Sequence, residues 1–179
     1  IDKGLVVKQD HPTLPLSVYN YSRTCQYDRL WDEVTLDCRG LVLDNEGNVV
    51  AKPFPKFFNM EELSDTEIPK EAFEVFEKMD GSLGIFFNYN GEWHMATRGS
   101  FTSDQSIKGS ELLEKYDYHK LHKNYTYLFE IIYSENRIVC QYDYEDVVLL
   151  GMIETKSGYE VNIHNGDFDK RLVNLISNI

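Results

Sequence analysis

The chain has 179 residues, enough for one domain with a sizeable core and too few for two independent ones. Hydrophobic residues make up 42% and aromatics 13%, with 12 Tyr and 10 Phe, which excludes disorder and suits a strand-rich fold. A formal net charge of -12, with a pI near 4.8, argues against a polyanionic partner unless the basic residues gather on one face.

Cys25, Cys38 and Cys140 are odd in number and show no CxxC spacing, so they read as core or surface thiols of a reducing compartment. No apolar run approaches the roughly 20 residues of a membrane helix, and "IDKGLVVKQDHP" lacks the basic-then-apolar order of a signal peptide. A soluble cytoplasmic protein with no membrane partner is expected. Residue 1 is not Met, and the native start is expected to lie upstream.

In chain order, "QYDRLWDEVTLD" (26 to 37) places Tyr27, Leu30, Trp31 and Val34 at helical spacing, a stripe expected to pack on a sheet. It leads into the first clear strand, "RGLVLD", which forms a hairpin with "NVVAK" around Asn45-Glu46-Gly47. "AFEVFEK", "LGIFFNY" and "EWHMATR" are predicted as three further strands, the last two joined through Asn90-Gly91, a type I′ turn signal. Ser103 and Asp104 cap a predicted helix over about 105 to 116, with Ile107, Leu112 and Leu113 facing inward. "YTYLFEIIY", "DVVLLGMIE" and "GYEVNI" read as strands, and "DFDKRLVNLISNI" as an amphipathic helix with Phe168, Leu172, Leu175, Ile176 and Ile179 on one stripe. The fold class is α+β, built on mainly antiparallel sheets. Residues 1–179 show no repeat or linker and form a single domain.

The stretch "EKMDGSLGIF" places Lys78 directly before an acid-glycine-serine turn. A lysine with an unperturbed pKa of about 10.4 is a poor nucleophile at neutral pH, unless desolvation and neighbouring cations release its proton. A bare K-x-D-G match is more often an ordinary hairpin than a nucleophile. Glu130 lies in "YTYLFEIIY", where alternation puts Tyr125, Tyr127, Phe129 and Ile131 on one face. Thr126, Leu128, Glu130 and Ile132 share the other, so its carboxylate calls for a cation or hydroxyl partner. His119 and His122 are spaced as a metal pair but sit in a polar stretch that reads as surface, and "YDYEDV" reads as an acidic loop. "GSFTSDQS" has no paired catalytic His. In "KPFPKFFN", cations alternate with aromatics as on nucleic-acid surfaces, though Phe57 and Phe58 suit a core equally well.

Taken in order, "CRGLVLD", "KPFPKFFN", "EKMDGS", "ATRGSF" and "YLFEIIY" resemble the adenylyltransferase domain of ATP-dependent RNA ligases, most closely the T-even phage tRNA-repair type, within the covalent nucleotidyltransferase superfamily. The motifs run from about Cys38 to Glu130, and more loosely to Ile163. The resemblance implies a nucleotidyltransferase fold and a reaction in which lysine attacks the α-phosphate of ATP. AMP then passes to an RNA 5′-phosphate, and a 3′-hydroxyl seals the break, with cleaved tRNA a possible substrate. It implies Lys78 as nucleophile, with Asp80 and Gly81 shaping the nucleotide pocket. Arg39 and Lys56 would contact the triphosphate, Arg98 the nucleotide or incoming phosphate, and Glu130 the ribose and a Mg2+ ion. Phosphoryl transfer depends on positioning and charge neutralisation, so several cations around one lysine are the expected equipment.

Such ligases also carry a later acidic E-G strand and a final K-x-K strand. "SGYEV" at 157 to 161 has Ser157 where the acid should be, and "DKR" at 169 to 171 is not K-x-K. The chain is therefore expected to lack these C-terminal motifs and to be weak or inactive alone, with basic RNA-binding surface lying beyond it. The alternatives are a non-catalytic nucleotide- or RNA-end-binding module derived from a ligase, or an acidic interaction domain with chance matches.

Overall fold

The computed structural model describes residues 3–73 and 75–163. Strands β1 (Val6–Asp10), β2 (Leu16–Tyr21), β3 (Arg39–Asp44) and β4 (Val49–Ala51) form one sheet in the order β1-β2-β3-β4. Strands β5 (Ser82–Tyr89), β6 (Glu92–Ala96), β7 (Tyr125–Ile132), β8 (Asp146–Glu154) and β9 (Glu160–Val161) form a second, ordered β6-β5-β7-β8-β9. Every pairing among these strands is antiparallel, as the α+β reading expects. Helices α1 (Arg23–Tyr27) and α2 (Glu33–Asp37) connect β2 to β3, and α3 (Asp104–Leu113) connects β6 to β7.

The second sheet is buried on both faces, which gives three layers. Leu16, Val18 and Val42 of the first sheet pack against Ile85, Phe87, Leu128 and Ile153 of the second. On its opposite face Phe86, Tyr127, Phe129 and Ile131 pack against Leu112 and Leu113 of α3. Burying each such side chain contributes about 1.5–3 kcal/mol. The alternation read in "YTYLFEIIY" thus holds, with Tyr127, Phe129 and Ile131 on the helix side and Leu128 on the sheet side.

Both turn signals hold. Gly47 takes φ +85° at the β3–β4 turn, and Asn90 (φ 52°) with Gly91 (φ 92°) makes the left-handed pair that joins β5 to β6. Ser103 caps α3, its hydroxyl accepting the Ser106 N–H. Ile107, expected inward, is 52% exposed, while Leu112 and Leu113 are buried.

Four expectations need correction. The helix over 26 to 37 is two short helices, because Arg29 at φ 52° ends the first and Asp32 restarts the chain with a Thr35 capping box. Its predicted stripe does not cover a sheet: Tyr27, Leu30 and Val34 are exposed, and only Trp31 packs, edge-on to Tyr21 and Phe58. No described residue of "AFEVFEK" lies in a strand of either sheet, and Phe73, Val75 and Phe76 are exposed. The first strand is β1 rather than "RGLVLD", since β1 and β2 precede it. Lastly, "GYEVNI" contributes only Glu160–Val161. The expected C-terminal helix and "DKR" lie outside the described residues. No helix among the described residues is long and apolar enough to cross a membrane.

Candidate active site

Where the two sheets diverge, a cavity of about 1120 Å3 opens between Asn20 and Arg39 of the first sheet and Ser82, Leu83 and Glu130 of the second. Lys78 and Gly81 of the loop leading into β5, and Arg98 of the loop after β6, line the same cavity. Five of the seven residues singled out in the sequence, spread from 39 to 130, therefore meet in one place. β3 carries Arg39, β7 carries Glu130, and β5 anchors the loop that presents Lys78.

Arg39 is half-buried, its guanidinium carbon 4.8 Å from the centre of the Phe57 ring. Its Nη1 is buried and has no hydrogen-bond partner, and neither does Oδ1 of Asn20, the residue paired with Arg39 across β2 and β3. Burial, and then Arg98, pushes the Arg39 guanidinium below its ordinary value. Two cations close enough to repel each other on the wall of one cavity form a site suited to an anion. Arg98 is steadied from the first sheet, Nη1 donating to the Tyr21 hydroxyl at 3.1 Å.

Burial raises the Glu130 carboxyl above its usual range, while the Gly81 N–H, Lys78 and Arg39 draw it back. Gly81 is required by this approach: a Cβ there would lie 2.5 Å from the Ile131 carbonyl oxygen and 3.2 Å from Glu130 Cγ.

Lys56 and Asp80 stand apart from the other five. Lys56 Nζ donates to the Phe57 carbonyl and lies 4.2 Å from the Phe58 ring centre and 5.7 Å from that of Trp31. Burial lowers its pKa, Glu62 opposes this, and Arg39 and Arg98 add to it; Lys56 does not line the cavity. Asp80 turns its carboxylate away from the cavity, accepting the N–H groups of Val139 at 2.7 Å and Cys140 at 2.6 Å. Its own N–H donates to the Tyr142 hydroxyl at 2.9 Å. Asp80 thus pins the 139–142 segment against the loop that carries Lys78.

Sequence reading passed over Asn20, Tyr21, Thr97 and Gln105, which meet the cavity or its arginines. Asn20 and Tyr21 lie in β2, whose pairing with β3 no local pattern announces. Phe57, weighed as core, is 61% exposed and lies against Arg39. His119 and His122 are exposed, as the surface reading expects, and no group of three His, Cys, Asp or Glu side chains among the described residues could hold a metal. Cys25 and Cys38 are buried, Cys140 is exposed, and all three are unpaired.

A half-buried arginine beside a second one and a loop lysine, on one cavity wall with a strand-borne carboxylate, are the features of a protein that handles phosphate esters. A family model described as RNA ligase matches residues 37–168, and the chain belongs to the RNA ligase family, of the T4 type. Among curated relatives, an Autographa californica nuclear polyhedrosis virus protein named "Putative bifunctional polynucleotide kinase/RNA ligase" is 33% identical over 172 residues, covering 79% of this chain and 24% of the relative. An RNA ligase of Rhodothermus phage RM378 is 25% identical over 191 residues, covering 80% of this chain and 43% of the relative. The chain spans less than half the length of these relatives.

Proposed function

We propose that residues 1–179 are a single nucleotidyltransferase domain of an ATP-dependent RNA ligase that works through a lysyl-AMP intermediate. The observation that carries this reading is the convergence of Arg39, Lys78, Arg98 and Glu130, far apart in the chain, on one cavity. In the first step the Lys78 Nζ lone pair attacks the α-phosphorus of ATP. An N–P bond forms, the bond to the bridging oxygen breaks, pyrophosphate leaves, and the amine gives up its proton. An oxygen of the RNA 5′-phosphate then displaces Lys78 from AMP. Finally the 3′-hydroxyl oxygen attacks that 5′-phosphorus and expels AMP. RNA with 5′-phosphate and 3′-hydroxyl ends is the substrate class, and cleaved tRNA fits it.

Each residue has a separate task. Arg39 and Arg98 neutralise the triphosphate, and Lys56 adds to their field. Gly81 lets the backbone approach the nucleotide, and Asp80 fixes the loop that aims Lys78. Mg2+ is typically held by one or two carboxylates together with substrate phosphates, and Glu130 and Glu77 are carboxylates on the cavity wall. An ion held there would offset charge on the leaving pyrophosphate.

Intact-mass measurement of the full-length protein with ATP and Mg2+ tests the reading. One AMP is expected on Lys78 through an acid-labile, base-stable bond, at a rate that rises with pH because only the neutral amine attacks. Lys78→Arg should abolish it, since a guanidinium stays protonated. AMP on another residue overturns the role of Lys78, and AMP on none overturns the mechanism and leaves a non-catalytic nucleotide-binding module.

A further inference from the structure

The carboxylate of Asp80 faces a second cavity, of about 390 Å3, on the far side of the Lys78 loop. It is enclosed by the end of β7 and the segment that runs from Ser134 to β8, with Tyr133, Arg137, Tyr142 and Tyr144 among its walls. The two cavities share a partition: Ile138 lines the first, while Arg137 and Cys140 on either side of it line the second.

Its chemistry is unlike that of the first. Asp80, Asp143 and Glu145 line it against the single cation Arg137, which disfavours a phosphate. Two of the carboxylates are occupied. Asp80 accepts the Val139 and Cys140 N–H groups, and Glu145 accepts the Ser134 N–H and hydroxyl and pairs with Lys108 at 3.1 Å. Among the described residues, the Asp143 carboxylate and the Tyr144 hydroxyl make no hydrogen bond to protein. The rings of Tyr142 and Tyr144 are 5.4 Å apart and inclined by 54°, which leaves no room for a flat ring between them. Tyr142 is held in place by Asp80, whereas Tyr144 is 42% exposed and offers a ring face.

Resting on the function proposed above, we propose that this cavity seats an unpaired nucleobase of the RNA, next to the end that Lys78 serves. A flat aromatic ring fits the Tyr144 face, where stacking is sequence-tolerant. The free Asp143 carboxylate suits the exocyclic amine of cytosine, adenine or guanine, and the Arg137 donors suit a ring nitrogen or carbonyl. A free nucleotide would bring its phosphate into an acidic enclosure. A base within a strand can enter while its phosphates stay outside. Because the Asp80 N–H is bonded to the Tyr142 hydroxyl, a base seated here also bears on the loop that holds the nucleophile.

The test uses the full-length protein and a 5′-phosphorylated oligoribonucleotide carrying 5-iodocytidine near its 5′ end or, separately, near its 3′ end. Irradiation followed by peptide mapping should place a cross-link on the segment containing Tyr142 and Tyr144. Cross-links confined to other segments overturn the proposal. Tyr144→Ala should weaken oligoribonucleotide binding roughly tenfold, and Tyr144→Phe, which keeps the stacking face, should stay within about twofold of the parent. Equal affinity in all three proteins, or a Phe variant as weak as the Ala variant, overturns it. Lys78-AMP formation by the parent protein is read alongside. An adduct without the cross-link removes the base seat and keeps the ligase. A cross-link without the adduct keeps the base seat and removes the ligase chemistry.

Discussion

Two residues of the first cavity are placed against the interest of stability, and that makes their roles separable from folding. Arg39 is a half-buried cation beside Arg98 with an unfilled donor, so removing it relieves repulsion and desolvation even as it loses the contact with Phe57. Arg39→Ala should leave the melting temperature unchanged or raise it, while the self-adenylation rate falls on the order of a hundredfold. A lower Tm with full adenylation would make Arg39 structural. Glu130 gives a second case through its titration. Burial raises its native pKa above the unfolded value, so the native state binds the extra proton and stability falls as pH rises through that window. Glu130→Gln removes the charged form, so the variant should melt higher than the parent at pH 7, and the gap should close below the carboxylate range. Thermal melts at both pH values check the sign, and adenylation of the same variant should be impaired.

The Lys78 loop has no ladder of its own and depends on its neighbours, β7 on one side and the 139–142 segment on the other. Gly81→Ala would drive a Cβ into the Ile131 carbonyl, which is backbone of a central strand and cannot yield locally. The start of β5 must then peel from β7, and a cost of about 1–3 kcal/mol is expected in urea denaturation, with adenylation lost by a wider margin than stability. A variant as stable as the parent would show that β5 shifts freely. Elements whose signals are local were legible in the sequence: the Asn45–Gly47 and Asn90-Gly91 turns, the Ser103 cap and the alternation of β7 all stand in the structure. Elements decided by pairing were not. "AFEVFEK" has a strand's composition, but neither sheet takes its described residues as a partner, and β1 and β2 were obscured by the polar residues Lys8–Asp10 that end β1 and the proline-bearing connection "HPTLP" after them. The same division holds in the site. Ordered motifs picked out Lys78, Arg39, Arg98 and Glu130, whereas Asn20 enters through its register with Arg39, and the side chain of Asp80 turns the other way through contacts some 60 residues distant in the chain.

At the scale of the molecule, the cavity exists because two sheets meet, so whatever loosens their contact loosens the site. At the edge of that contact His11, from the β1–β2 connection, lies edge-on to His94 of β6 with ring centres 6.2 Å apart, and both rings pack on aromatics of the second layer, Phe101 for His11 and Phe87 for His94. His11 Nδ1 accepts the N–H groups of Thr13 and Leu14, which holds that ring neutral at this nitrogen. Burial lowers the pKa of both imidazoles, and His11 lowers that of His94 further; Glu92 and the Tyr89 backbone oppose this only in part. The native pKa values therefore lie below the unfolded value of 6.5. Above that value both states are neutral and the packing is fully expressed. As pH falls through it the unfolded chain binds protons that the native pair resists, and stability declines until the depressed native values are reached. His94→Gln removes one titrating group and the repulsion it feels, so the variant should be less sensitive to acid than the parent. Urea midpoints measured from pH 7.5 down to pH 5 at constant ionic strength should show the parent losing ground on the variant across this range. Parallel curves would mean that the two histidines do not couple the sheets to pH, and would place the acid sensitivity of the fold in its carboxylates instead.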